Sequence, residues 1–268
     1  MKSIAFIGGG NMAAALIGGL IRSGREPASI IVVDPGDAAR ASLQSAFGVR
    51  TLAAADASLA GADLVVWAVK PQYFRDAAAP CAAHVGGALQ LSVMAGIRSA
   101  AIATATGAQR VVRAMPNTPA LIGQGIAGLF ARDAVTAADK LEIEAVLTPT
   151  GKLLWVAREA DLDVVTALSG SGPAYVFYFV EAMVQAAREL GLSDAQGRQL
   201  ALATFAGATA LAQASSDAPE LLRERVTSKG GTTHAAISAL EASGVKAAFV
   251  QALHAAHHRA GELGDEFG

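Results

Sequence analysis

The sequence predicts an α/β fold: a doubly wound, mostly parallel sheet in the N-terminal part, followed by an all-helical C-terminal part. Three observations carry this prediction. Short apolar runs without alternation recur between helical segments over the first two-thirds of the chain, which is how strands covered on both faces read. A glycine-rich turn follows the first of these runs at once. Strand signals stop near Asp161, and helix follows helix from there on.

Strands are expected at residues 3–7, 30–34, 63–68, 89–93 and 110–113. Each is rich in Val, Ile or Leu and ends near Gly, Asp, Pro or Lys. Helices are expected between them at 12–23, 37–46 and 73–83. Strand-helix-strand order at this spacing marks a doubly wound sheet. Further helices are expected at 174–190, 195–214, 219–226, 233–243 and 245–262, punctuated by Gly191, Gly230-Gly231 and Gly244. The domain boundary falls near residue 160, giving parts 1–160 and 161–268.

Composition narrows the functional classes. Of 268 residues, 53% are hydrophobic and 16% charged, so a substantial core can form. The formal net charge of −2 gives no electrostatic case for nucleic acid or an anionic membrane. The single cysteine, Cys81, cannot form an intrachain disulfide, which fits a reducing compartment. Mean hydropathy is high at +0.40. Yet the apolar stretch 173–184 carries Glu181 and falls short of the roughly 20 residues a membrane span needs. The start at Met1 lacks the pattern of a signal peptide. A soluble, cytoplasmic protein is expected. The helix after Pro173 is apolar nearly all round. It is either a central core helix or one covered by a second subunit, and the small size of the C-terminal part favours the subunit.

The segment Ile7-Gly8-Gly9-Gly10-Asn11-Met12-Ala13 contains G-x-G-x-x-A between a strand and a helix. Gly8 permits a tight turn, Gly10 leaves room for a pyrophosphate, and Ala13 lets the helix pack on the strand. This is the phosphate cradle of a Rossmann-type domain, with Ile7, Gly8, Gly9, Gly10, Asn11 and Met12 as cofactor-binding residues. The alternative is a glycine-rich turn without a ligand. Asp34 ends the second strand, where an acidic residue binds the ribose hydroxyls of NAD and repels the extra phosphate of NADP. It could instead cap the following helix. Arg40 lies nearby and could meet that phosphate. Both NADH and NADPH remain open as cofactor.

Four further segments stand out: Ala68-Val69-Lys70-Pro71-Gln72, Met115-Pro116-Asn117-Thr118-Pro119, Leu168-Ser169-Gly170-Ser171-Gly172-Pro173-Ala174-Tyr175 and Val226-Thr227-Ser228-Lys229-Gly230-Gly231-Thr232-Thr233. Together with the N-terminal turn, in this order and over essentially the whole chain, they resemble the pyrroline-5-carboxylate reductase family. The resemblance implies a C-terminal dimerisation domain and a homodimer, sometimes assembled into a decamer. It also implies the last step of proline biosynthesis: hydride transfer from NADPH or NADH to pyrroline-5-carboxylate.

The resemblance implies site residues as well. Ala68, Val69, Lys70 and Pro71 line the cofactor near its ribose, and Asn117 sits in the loop beneath the nicotinamide. Gly-rich turns entering a helix present successive N–H groups to an anion. The turn before Thr233 is thus a seat for the substrate carboxylate, with Ser228, Gly231, Thr232 and Thr233 binding it. The Thr233 hydroxyl reaches the ring nitrogen, and Thr166 lies near the substrate. The chain departs from the family at Lys229, where proline is common, and at Ala55, where an asparagine often stands near the cofactor ribose.

No histidine or paired carboxylate stands out as a catalyst. His254 and His258 could share a helix face but lack a third metal ligand, and no metal is expected. Cys81 reads as structural. A 3-hydroxy acid dehydrogenase built from the same two parts would need a lysine base in the helical part, and neither Lys229 nor Lys246 lies in a matching motif. A dinucleotide-sensing regulator without catalysis would not need the Thr227–Thr233 turn.

Overall fold

The computed structural model describes residues 2–267. Eight strands form one sheet in the order β3-β2-β1-β4-β5-β6-β7-β8. The first half reads β1 (Ile4–Ile7), α1 (Asn11–Arg22), β2 (Ile30–Val33), α2 (Asp37–Phe47), β3 (Arg50–Leu52) and β4 (Leu64–Trp67). It continues with α3 (Phe74–Ala78), α4 (Ala82–Val85), β5 (Leu89–Ser92), α5 (Ser99–Thr106) and β6 (Val111–Met115). All these strands pair in parallel. β7 (Gly125–Ala131) then turns back antiparallel against β6. α6 (Ala137–Leu147) leads to β8 (Gly151–Trp155), which is parallel to β7.

The strands sort their side chains to two cores. Ile4 and Phe6 of β1 join Leu16, Ile17 and Leu20 of α1, Leu43 of α2 and Ile143, Val146 and Leu147 of α6. Ala5 and Ile7 point to the other face, with Phe74 and Ala78 of α3, Val85 of α4 and Ile102 of α5. Both faces are apolar because both are covered, so the alternation of a half-exposed strand is missing. This is the doubly wound sheet expected from the sequence.

Several elements differ from expectation. The helix expected over 73–83 is broken: Pro80 lacks an N–H and sits between α3 and α4. β3, β7 and β8 were not foreseen, nor were α5, α6 and α7 (Asp161–Val165). β3 has only three residues, and β7 (sequence GIAGLFA) is diluted by glycine and alanine.

By compactness the chain divides at Gly172. The first unit comprises the residues up to Gly172 together with those from Ala255 onward, and the second is Pro173–His254. Glu159 accepts from Arg113 of β6 at 2.9 Å, Asp163 of α7 pairs with Arg98 at 3.0 Å, and Val165 fills the space above Gly128 of β7. These contacts hold residues 159–165 on the sheet. A π-turn follows at Thr166–Gly170. Within the same unit, Gly264 gives the Arg98 guanidinium room that any Cβ would fill.

The second unit contains α8 (Gly172–Glu189), α9 (Asp194–Ala214), α10 (Pro219–Arg225), α11 (Thr232–Ala242) and the first part of α12 (Val245–Phe267). Among its described residues only Gly197 and Ala201 are buried. Gly197 lets α9 approach α8, where a Cβ would lie 2.7 Å from that of Ala187. Phe177 and Tyr178 of α8 are 58% and 69% exposed, so α8 is not a central core helix of a single chain. No helix of the described residues is long and apolar enough to cross a membrane.

Candidate active site

The three glycines after β1 differ in their surroundings. Gly8 has φ +102°, and a Cβ there would lie 2.6 Å from the Ala68 carbonyl oxygen. A Cβ at Gly9 would meet Leu43 at 2.9 Å. At Gly10 nothing lies within 4 Å, so the space beside it is open. Gly10 is also the N-cap of α1, with no side-chain cap and no acidic residue in the first turn. Helix N–H groups without intrahelical partners thus face open space, in the field of the helix dipole. Ala13 is fully buried, as close helix-strand packing requires.

Asp34 follows β2. Its Oδ2 accepts from the Gly9 N–H at 2.7 Å, and its Oδ1 accepts from the Gly36 N–H at 2.8 Å. Asp34 therefore tightens the turn into α2 and pins the glycine loop, rather than capping the first N–H groups of α2 themselves. A cavity of about 560 Å³ opens here, within the usual range for small-molecule sites. It lies at the carboxyl ends of β1, β2 and β4, where the sheet order reverses, the expected crevice of a doubly wound sheet. Ile7, Gly8, Gly9, Gly10, Asp34, Ala68, Val69 and Lys70, all expected at the cofactor, line it. Asn11, Met12, Pro71 and Asn117 are not part of this lining.

The sequence reading missed part of the wall. Tyr73, Asp76, Ala77, Pro80 and Cys81 also line the cavity. They follow β4, so the rule that ligands bind beyond the carboxyl ends of strands could have found them. Cys81 is nearly fully buried, and burial pushes its thiol up to about 11. The thiolate nucleophile is therefore scarce at neutral pH.

Asn117 has a structural part. Its Nδ2 donates to the Ser169 carbonyl at 3.2 Å, and its Oδ1 accepts from the Ile126 N–H at 3.0 Å. The amide ties the loop after β6 to β7 and to the π-turn. Gly170 packs on the end of the Met115 side chain there, where a Cβ would lie 2.6 Å from its terminal methyl. The Thr166 hydroxyl donates to the Leu162 carbonyl at 2.7 Å.

In the second unit the turn 227–231 is built locally. The Thr227 hydroxyl donates to the Arg223 carbonyl at 2.6 Å, and the Gly231 N–H donates to the Ser228 carbonyl at 3.0 Å. Gly230 has φ +76°, in the left-handed region. A Cβ at Gly231 would meet the Ser228 hydroxyl at 2.7 Å. Gly231 is the N-cap of α11, again with no side-chain cap and no acidic residue in the first turn. The Thr232 and Thr233 N–H groups are therefore free for an anion. The Thr233 hydroxyl makes no hydrogen bond with any described residue.

The doubly wound sheet, the open uncapped helix start at Gly10 and the acidic residue after β2 define a protein of the Rossmann dinucleotide-binding class. Comparison with known proteins narrows this. A family model described as pyrroline-5-carboxylate reductase dimerisation matches residues 159–263, and one described as NADP oxidoreductase coenzyme F420-dependent matches residues 3–96. The pyrroline-5-carboxylate reductase of Pseudomonas aeruginosa is 45% identical, covering 99% of this chain and 98% of its own. That of Pisum sativum is 34% identical, covering 97% and 96%. Among solved structures, the enzyme of that name from Coxiella burnetii superposes with a TM-score of 0.91 at 37% identity, over 98% of both chains. A Plasmodium falciparum pyrroline carboxylate reductase solved with NADP bound gives 0.88 at 25% identity, also over 98% of both. The chain belongs to the pyrroline-5-carboxylate reductase family.

Proposed function

We propose that the chain reduces 1-pyrroline-5-carboxylate to L-proline with NADH or NADPH as hydride donor, the last step of proline biosynthesis. Family membership at 45% identity over the full length supports the reaction, and the uncapped start of α11 supports the substrate class. When bound, the reduced nicotinamide supplies the hydride that adds to the C=N carbon. The chain's own residues position and stabilise. Ile7, Gly8, Gly9, Gly10, Asn11 and Met12 hold the pyrophosphate at the start of α1, and Asp34 holds the ribose hydroxyls. Ala68, Val69 and Lys70 form the cavity wall after β4, and Pro71 stiffens the turn that follows them beside the cofactor ribose. Asn117 acts by fixing the loop after β6.

The Ser228, Thr232 and Thr233 N–H groups receive the substrate carboxylate, and Gly231 keeps the turn tight enough for this. The Thr233 hydroxyl orients the ring nitrogen, and Thr166 lies near the substrate ring. A protonated imine needs no further acid: the hydride converts C=N to an amine, and the nitrogen keeps its proton. Residues 161–268 serve as the substrate-binding and dimerisation part, and a homodimer is the basic unit. A unit with only two buried residues must cover its apolar helices with another surface. The protein works in the cytoplasm, with no nucleic acid or membrane as partner.

The test is oxidation of NADH and NADPH in the presence of pyrroline-5-carboxylate. Turnover with either supports the proposal, and none with either, in protein that binds dinucleotide, overturns it. Thr233→Ala is expected to lower kcat about 10- to 100-fold, the value of one hydrogen bond to a charged group. Dinucleotide affinity should change less than about twofold. Equal loss of both would remove Thr233 from the role given to it.

A further inference from the structure

We infer that the cavity selects NADH over NADPH, and that Asp37 enforces the choice by holding Arg40 away from the position a 2′-phosphate would take. This rests on the reading of the cavity as the dinucleotide site. The ribose corner lies at the end of β2. Both Asp34 oxygens are anchored by backbone N–H groups, so the carboxylate is fixed beside the glycine loop. A ribose diol can donate to a fixed carboxylate, whereas a 2′-phosphate carries about −1.5 to −2 charges near pH 7 and is repelled.

The surroundings offer that phosphate nothing. Ala53, Ala54 and Ala55, which follow β3 beside β2, line the cavity without a side-chain donor. Lys70 is the only cation among the described lining residues, against Asp34 and Asp76. It follows β4, which lies on the other side of β1 from β2, two strand spacings or roughly 10 Å away.

Arg40 is the one cation near this corner in sequence, and it is already engaged. Its Nη1 donates to the Asp34 carbonyl at 2.7 Å, and its Nη2 pairs with the Asp37 carboxylate. Its side chain is only 18% exposed and is not part of the cavity wall, while Asp37 stands 94% exposed at the start of α2. Asp37 thus touches no proposed cofactor contact. It acts on specificity only through Arg40.

The experiment is a titration of the full chain with NADH and NADPH separately, without substrate, read by nicotinamide fluorescence. The unmodified chain is expected to bind NADPH at least about tenfold more weakly than NADH, a difference of about 1.4 kcal/mol. Asp34→Ser should weaken NADH and tighten NADPH. In Asp37→Ala, Arg40 loses its carboxylate partner and keeps only the Asp34 carbonyl, and NADPH should tighten about fivefold while NADH changes less than twofold. Asp37→Ser, which keeps a polar residue at the start of α2, should do the same and guards against a folding defect. Equal affinity for the two nucleotides in the unmodified chain overturns the proposal, as does an unchanged ratio in both Asp37 variants. Failure to bind either nucleotide would instead sink the cavity assignment itself, and the proposal with it.

Discussion

Gly8 and Gly10 stand two residues apart, yet they answer to different constraints. Gly8 is strained for any side chain, because its φ is +102° and its Cβ would strike the Ala68 carbonyl. Gly8→Ala should therefore lower stability by about 2 kcal/mol or more. Gly10 has open space beside it but caps α1, so Gly10→Val should cost only about 1 kcal/mol of stability while abolishing dinucleotide binding. Melting curves and a fluorescence titration of the two variants check this, and a Gly10→Val chain that binds normally would reassign the loop. The cradle was legible in the sequence because its residue types follow from backbone geometry. Asn117 was less legible. Its amide serves Ile126 and Ser169, partners that only the antiparallel return of β7 and the π-turn bring within reach.

At the scale of elements, the junction of β6, α5 and α7 rests on buried charge. Glu159 accepts from the Ser99 hydroxyl and N–H, both at 2.6 Å, and from Arg113 at 2.9 Å. Burial works to raise its pKa, but these bonds outweigh it, and the net shift is below the ordinary value of 4.5. A depressed carboxylate adds stability that is full above the unfolded value and is lost as pH falls through the folded one. The melting temperature of the unmodified chain should thus drop as pH falls below about 4.5. Glu159→Gln leaves Arg113 buried without its counter-charge and should cost about 3 kcal/mol at pH 7. The gap between the two chains should narrow in acid, and a constant gap from pH 7 to pH 3 would refute this account. The strands named from apolar runs were those covered on both faces. β8 has the exposure pattern of an edge and α5 is built from alanine, threonine and serine with one isoleucine, so neither carries a strong periodic signal. α6 carried a local signal instead, the Thr136–Asp139 capping box at its start.

At the scale of the molecule, the second unit carries its apolar residues outward. Phe177, Tyr178, Leu200, Leu211 and Val250 are all exposed. Sedimentation of the full chain should show a dimer or a multiple of it. Phe177→Asp with Tyr178→Asp should shift the protein towards monomer and lower its melting temperature, and a stable monomer of the unmodified chain would refute the pairing. The sheet has a kinetic side as well. Parallel pairs need long crossovers, whereas β6 and β7 pair antiparallel across residues 116–124 alone. Hairpins of this kind close in about 1–10 μs, well before distant strands find each other. The loop that carries Asn117 is thereby given its register early, as the turn of the most local pairing in the sheet.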